Sequence, residues 1–289
     1  MSLSPDPGRE SGGIASHAVP SPSPAPTASA STPTLTEFLA PSGHGLLGPE
    51  DLWVFVLCVA VSVLTGAVVQ STVGLGLGMV AAPALSFLDP TLMPGMLLVA
   101  VIALPALTLL QEWSHVDWRG IAWGLPARLP GTVLGVWVVA VLEPRALAGA
   151  VGAMVLVAVA LSAGSLRVRI TPFSLVAAGS LSGLAGTATT VGGPPMALLY
   201  QHEEPSTVRA TLAAFFLFGG AVSLTALVLG GQMDTRTAVA GVCAVPLVVV
   251  GFLAGTALRR RVNAGRLRVV LLSVVSVSAF GLLGQAVFG

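Results

Sequence analysis

Eight stretches of this 289-residue chain are almost free of charge, and they constrain its fold more than any motif does. Residues 52–88, 90–111, 120–142, 146–166, 170–202, 210–233, 237–258 and 269–289 hold no Asp or Glu and a single arginine, Arg128. A bilayer core about 30 Å thick is crossed by roughly 20 apolar residues in helical form. Six of the windows have that length. The other two, 52–88 and 170–202, are too long for one crossing and too short for two comfortable ones. As a single helix 52–88 would rise about 55 Å, so each of the two is expected to be broken. Only 9% of residues are charged and the mean hydropathy is +0.91, against about 25% charged in soluble domains. A water-covered globule is excluded. The expected fold class is an all-α, polytopic membrane protein with eight to ten crossings and the lipid bilayer as its surroundings.

Residues 1–50 are a different material. The run SHAVPSPSPAPTASASTPT is rich in Pro, Ser and Ala and has almost no large apolar side chains, so it is expected to be a disordered tail. It has no basic start followed by an apolar core of the secretory type, so insertion is expected to be signalled by the first span. His17 and His44 fall in this tail and receive no role. The net charge of +1 carries no nucleic-acid footprint. Cys58 and Cys243 lie in apolar runs without CxxC spacing or a His neighbour, which suits packing; neither a disulfide nor a metal site is expected. HExxH, GxSxG and Walker A motifs are absent, no cofactor is called for, and no catalytic residues are assigned.

The chain reads as two copies of one plan, 51–166 and 170–289. Val73-Gly74-Leu75-Gly76-Leu77-Gly78 corresponds to Val191-Gly192-Gly193-Pro194-Pro195, and Asp89-Pro90-Thr91 to Glu204-Pro205-Ser206. Asp117-Trp118-Arg119 then matches Asp234-Thr235-Arg236, Gly131-Thr132-Val133-Leu134-Gly135 matches Gly251-Phe252-Leu253-Ala254-Gly255, and Arg145-Ala146-Leu147 matches Arg266-Leu267-Arg268. The offsets drift from about 116 to about 121, as small loop insertions would make them. An acidic residue before Pro suits a helix start, and GxxxG clears a helix face for a close neighbour. If each half crosses the membrane an odd number of times, the halves are inverted. Arg119, Arg167, Arg169, Arg209, Arg259, Arg260, Arg261, Arg266 and Arg268 then share the cytoplasmic side, against Arg145 and Arg236 outside. This bias favours two inverted repeats of four to five transmembrane segments with a broken helix in each.

The breaks supply the candidate site. Gln70-Ser71-Thr72-Val73-Gly74-Leu75-Gly76-Leu77-Gly78 and Gly186 to Pro195 are runs of small and hydroxyl residues inside over-long windows. A break at membrane depth leaves N–H groups that must face protein, water or ligand, and a helix start aims several of them one way. Gly74, Gly76, Gly78, Gly192 and Gly193 are the candidate backbone donors, with Ser71, Thr72, Thr189 and Thr190 as hydroxyl donors and Gln70 as an amide. The bland alternative is that the glycines only permit tight helix packing. Arg128 is the one charge inside a span; it either meets the anion or its path, or lies shallow and snorkels to headgroups. Glu112, His115 and Asp117 beside Trp113 and Trp118 read as a solvated loop with an aromatic belt, and His202-Glu203-Glu204 as a polar turn.

These motifs make the chain resemble the TauE/SafE family of sulfite and organosulfonate exporters, bacterial inner-membrane proteins with two homologous halves. The first-half pattern of that family is similar to GxGGGxxxxPxL, here Gly74, Gly76, Gly78, Pro83 and Leu85 with Leu77 in place of a glycine. The second resembles GxGGPP, here Gly192-Gly193-Pro194-Pro195 with Thr190 in place of the leading glycine. The resemblance covers about 52–289. It implies a secondary transporter of small anions, sulfite, sulfonates or related organic anions, across the cytoplasmic membrane. The residues alone leave a passive anion channel, or a membrane-embedded assembly factor without transport, as alternatives.

Overall fold

The computed structural model describes residues 40, 42, 51–74, 76–163, 168–258, 273, 276–281 and 283–284, all within one compact unit, residues 34–289. Nine helices carry the described fold. They are α1 (Leu52–Val73), α2 (Leu77–Leu88), α3 (Gly95–Glu112), α4 (Trp118–Val141), α5 (Pro144–Ala163), α6 (Pro172–Thr189), α7 (Pro194–Tyr200), α8 (Pro205–Leu229) and α9 (Thr235–Leu258). No strand occurs among the described residues. Among them, α1, α3 with the turn that follows it, α4, α8 and α9 are long and apolar enough to cross a membrane. The windows 90–111, 120–142, 210–233 and 237–258 thus each hold one such helix. Much of window 269–289, most of the tail 1–50, and Arg167, Arg259, Arg260, Arg261, Arg266 and Arg268 lie outside the described residues.

Window 52–88 is occupied by α1 and α2. α1 ends where Gly74 turns left-handed (φ 90°) and its N–H closes on the Gln70 carbonyl at 2.7 Å. α2 then runs back along α1. Leu77 lies level with Gly66, and Ala81 and Leu85 face Val59, Ser62 and Val63 across a small apolar gap. Window 170–202 holds the 18-residue α6 and the seven-residue α7. α6 ends at Thr190, again left-handed (φ 61°), its N–H on the Gly186 carbonyl. α6 is rich in Gly, Ala, Ser and Thr; Ser182, Thr187 and Thr189 are buried along it against protein.

Starts are set by side chains. Asp117 accepts from the Gly120 N–H (3.1 Å) at the head of α4, and Asp234 from the Thr237 N–H (2.8 Å) at the head of α9. Thr171 and Ser174 form a capping box at α6. The acid–Pro pairs differ from one another. Asp89 caps the 3-10 turn Pro90–Leu92, whereas Glu204 precedes α8 without a side-chain cap.

α4 packs along α6, α1 along α9, and α3 touches both α8 and α9. The glycine motifs sit in these seams. A Cβ on Gly131 would collide with the Ser180 carbonyl, and one on Gly251 would lie 2.6 Å from the Ala67 Cβ. The expected packing role of GxxxG holds at both. The core forms two clusters, one around Leu77, Leu97, Val151 and Val248, the other around Met196, Tyr200, Leu212 and Phe215. Cys58 packs against the first, and Cys243 lies on the outer surface. Asp89, with a fully buried side chain, accepts from both Ser42 and Thr91 and pairs with Arg236 at 2.7 Å. Arg236 also donates to the Ala40 carbonyl, so residues 40 and 42 of the expected disordered tail are tied to the bundle.

Candidate functional site

The turn that follows α1 meets the turn that follows α6. A Cβ on Gly78, in the first turn of α2, would run into the Thr190 carbonyl at the end of α6, so only glycine lets the α1–α2 tip lie against the α6–α7 tip. Gly76 has φ 155°, a dihedral that L side chains rarely adopt. Between the tips lies a cavity of about 50 Å³, room for a few water-sized occupants at roughly 10–15 Å³ each. Gly76, Gly78, Thr190, Gly192 and Gly193 border it, and so does Arg128.

Arg128 stands ten residues into α4, about 15 Å along the helix axis. It points inward, and the residue is 3% exposed; the snorkelling alternative does not describe it. Its guanidinium fills space that two absent side chains leave. A Cβ on Gly186 of α6 would lie 2.8 Å from one terminal nitrogen, and one on Gly219 of α8 would lie 2.6 Å from Nε. One terminal nitrogen donates to Ser223 Oγ at 3.1 Å, Ser223 in turn bonds Thr187 Oγ1 at 2.7 Å, and the Phe215 ring centroid is 5.2 Å from Cζ. Nε and the other terminal nitrogen have no partner among the described residues. Among the described residues no carboxylate lies within ion-pair distance of Arg128. A buried cation left this way is costly unless an anion joins it.

Backbone donors surround the cation unequally. Gly78 and Met79, in the first turn of α2, have no partner within their helix by construction. The Leu77 N–H is already taken by Gln70 Oε1 at 2.9 Å, so Gln70 acts here through its carbonyl oxygen. On the opposite side α7 opens with Pro194 and Pro195, which have no N–H. The donors available there are those of Gly192 and Gly193, ahead of the helix. The hydroxyls face elsewhere. Ser71 donates to the Val68 carbonyl, Thr72 to Val69, Thr189 to Ala185 and Thr190 to Thr189. Ser71 and Gly74 border a second, neighbouring cavity, and Thr72 and Thr189 border neither.

The residues that seat Arg128 from α8, namely Phe215, Gly219 and Ser223, escaped the sequence reading. Their signal was Phe215, Gly219 and Ser223 recurring at four-residue spacing along α8. The polar loop also departs from expectation. Glu112 holds Arg209 through two of its guanidinium nitrogens (2.6–3.1 Å), and Asp117 accepts from Tyr200 Oη at 2.8 Å, so both are built into the bundle. His115 stays exposed. Trp113 and Trp118 pack with ring centroids 4.6 Å apart and planes tilted by 54°.

An all-helical bundle with five membrane-length helices among its described residues is a multi-pass protein of the cell membrane. The model of the family described as sulfite exporter TauE/SafE matches residues 58–282, and the chain belongs to that family. It is a family of membrane transporters. No curated protein and no solved structure matches the chain.

Proposed function

We propose that the chain is a secondary transporter of small anions, sulfite, sulfonates or related organic anions, and that the anion rests between the two Gly-rich tips. Arg128 supplies the charge, and the N–H groups of Gly78, Gly192 and Gly193 supply neutral donors around it. The observation that carries this reading is the buried guanidinium with two unpartnered nitrogens at the wall of a cavity. An anion there satisfies donors that otherwise cost about 1–3 kcal/mol each. Ser223 and Phe215 hold the cation in place, so it need not reorganise when the anion arrives.

The frame is read as two inverted repeats, 51–166 and 170–289. Reciprocal packing supports this. Gly131 and Gly135 rest on Ser180, Leu184 and Thr187 of α6, while Gly251 and Gly255 rest on Leu64, Val68 and Ser71 of α1. Each member of the second trio precedes its counterpart by 116 residues. Rocking of the repeats about the shared tips would expose the cavity to each side in turn. No catalytic role is proposed.

Reconstitution into liposomes tests the reading, with sulfite, sulfoacetate and chloride gradients in separate arms. Saturable uptake with counterflow is expected for at least one of the first two and is lost in Arg128→Gln. No flux of any of the three would overturn the proposal. Linear, non-saturating flux would replace the carrier with a channel.

A further inference from the structure

The central cavity shares a wall. Gln70 and Phe216 border it, and both also border the second cavity of about 20 Å³. That second space is half polar in its lining, with Ser71, Thr108, Gln111 and Thr256 among apolar neighbours such as Leu104 and Phe252. It ends at the Glu112–Arg209 pair, which joins the end of α3 to the second turn of α8. Gly74, at the turn that ends α1, lies under Arg209, and a Cβ there would be 3.4 Å from the Arg209 Cγ.

The pair is placed to part. Its side chains keep 16% and 14% exposure, so water at that edge can replace part of each bond when the pair separates, at a cost above that of a surface pair. The tie between Asp89 and Arg236 is of another kind. The Asp89 side chain is fully buried and receives Ser42 and Thr91 as well as the arginine. The inner wall has its own latch. Gln70 Oε1 occupies the Leu77 N–H at the start of α2, the kind of donor that an anion would use. Rotation of Gln70 would remove half of the partition and bare that N–H to whatever passes.

We propose that the second cavity is the entrance to the central one, with the Glu112–Arg209 pair as its outer latch and Gln70 with Phe216 as its inner partition. The inference rests on the reading of the central cavity as the anion site. Because Arg209 borders the second cavity and Arg128 the central one, with Gln70 and Phe216 shared between them, an anion entering from this end would meet Arg209 before Arg128. Glu112 keeps Arg209 neutralised until then.

Thiol accessibility tests this without requiring transport. In a Cys58→Ala, Cys243→Ala background, a reporter Val101→Cys on the central wall is exposed in sealed vesicles to the impermeant anion 2-sulfonatoethyl methanethiosulfonate, applied to one face at a time. Labelling is expected to be slow from both faces. Glu112→Gln should speed it about fivefold from a single face, equivalent to about 1 kcal/mol, and Phe216→Ala should speed it from that same face. The exchanged pair Glu112→Arg with Arg209→Glu should return the slow rate, and Asp89→Asn should leave it unchanged. If Glu112→Gln does not fold, Phe216→Ala and Gln70→Ala carry the test alone. An unchanged rate in the folded variants, or acceleration by Asp89→Asn from the opposite face, overturns the entrance. Opening without any anion flux would instead sink the transport reading and leave the entrance standing.

Discussion

Replacing Arg128 by methionine should make the protein more stable and insensitive to anions at once. The guanidinium gains a charge-assisted bond to Ser223, about 1.5–3 kcal/mol, and a desolvated contact with Phe215, about 2 kcal/mol. Against this stand two buried nitrogens without partners, about 1–3 kcal/mol each, and an ionic desolvation penalty of several kcal/mol. The balance favours an apolar side chain of similar length, which also refills the space over Gly186 and Gly219. Substitutions of this kind in other buried charge sites gain about 1–4 kcal/mol. In anion-free detergent Arg128→Met should therefore melt higher than the parent. Sulfite at about one hundred times its dissociation constant should stabilise the parent by about 2.7 kcal/mol and leave the variant where it was. Parallel thermal melts with and without sulfite or sulfoacetate, and with chloride as the inert arm, read both effects. A variant that melts below the parent without anion, or one that sulfite still stabilises, would refute the reasoning that the cation is held unpaired for a ligand.

Three further outcomes are expected. Gly131→Val and Gly251→Val should each cost about 3 kcal/mol through overpacking; tolerance of only one in detergent melts would break the claimed equivalence of the two seams. Thr190→Gly should stabilise by about 0.5 kcal/mol, because a left-handed non-glycine residue costs roughly 1–2 kcal/mol and the extra chain entropy of glycine offsets part of that gain; a lower melting temperature would show that the threonine side chain has packing value there. Burial alone would raise the Asp89 carboxyl, but the bonds from Thr91, Arg236 and Ser42 outweigh it and hold it below its ordinary value. Its contribution is therefore complete above the unfolded carboxylate value of about 4 and is lost as pH falls through the lower folded one. The melting temperature of the parent should drop more steeply than that of Asp89→Asn across that range, and parallel curves would contradict it.

The single-crossing windows were legible because hydropathy and length act locally. Windows 90–111, 120–142, 210–233 and 237–258 contain α3, α4, α8 and α9 with ends a few residues away. What the hydroxyls do was not legible. Ser71, Thr72 and Thr189 look alike as donors, yet each gives its hydrogen to a carbonyl three or four residues back in its own helix, the common fate of such side chains in apolar surroundings. The ion pairs were beyond reach for another reason. Glu112 and Arg209 are 97 positions apart, Asp89 and Arg236 147, and no local pattern registers such a meeting. Arg128 lay between these cases: its depth follows from counting along α4, but its inward direction depends on Gly186 and Gly219, which belong to other helices.

If the frame consists of two repeats, as proposed, it need not hold its ligand symmetrically. Arg128 has Val248 at the matching place in the second half, and that valine is fully buried in the core. The two hairpin tips differ as well: α2 begins with residues that keep their N–H groups, whereas α7 begins with two prolines that have none. One half thus contributes the cation and a helix start, the other a short linker of glycine donors. A second buried arginine at position 248 would bring another cation into the core cluster that also holds Leu77 of α2 and Val191. With a monovalent anion bound it would leave one cation uncompensated, which is costly at this depth. In the proposed site, asymmetry would therefore let a single unit of negative charge satisfy the cation and still leave it, because the remaining donors are neutral. Val248→Arg tests that step. It should lower thermal stability without anion by several kcal/mol, the cost of a second unpaired buried charge. Divalent sulfate should restore more of that loss than monovalent chloride at equal concentration. Equal rescue by both ions, or no loss at all, would mean that charge balance at the tips is not what limits the site to one arginine.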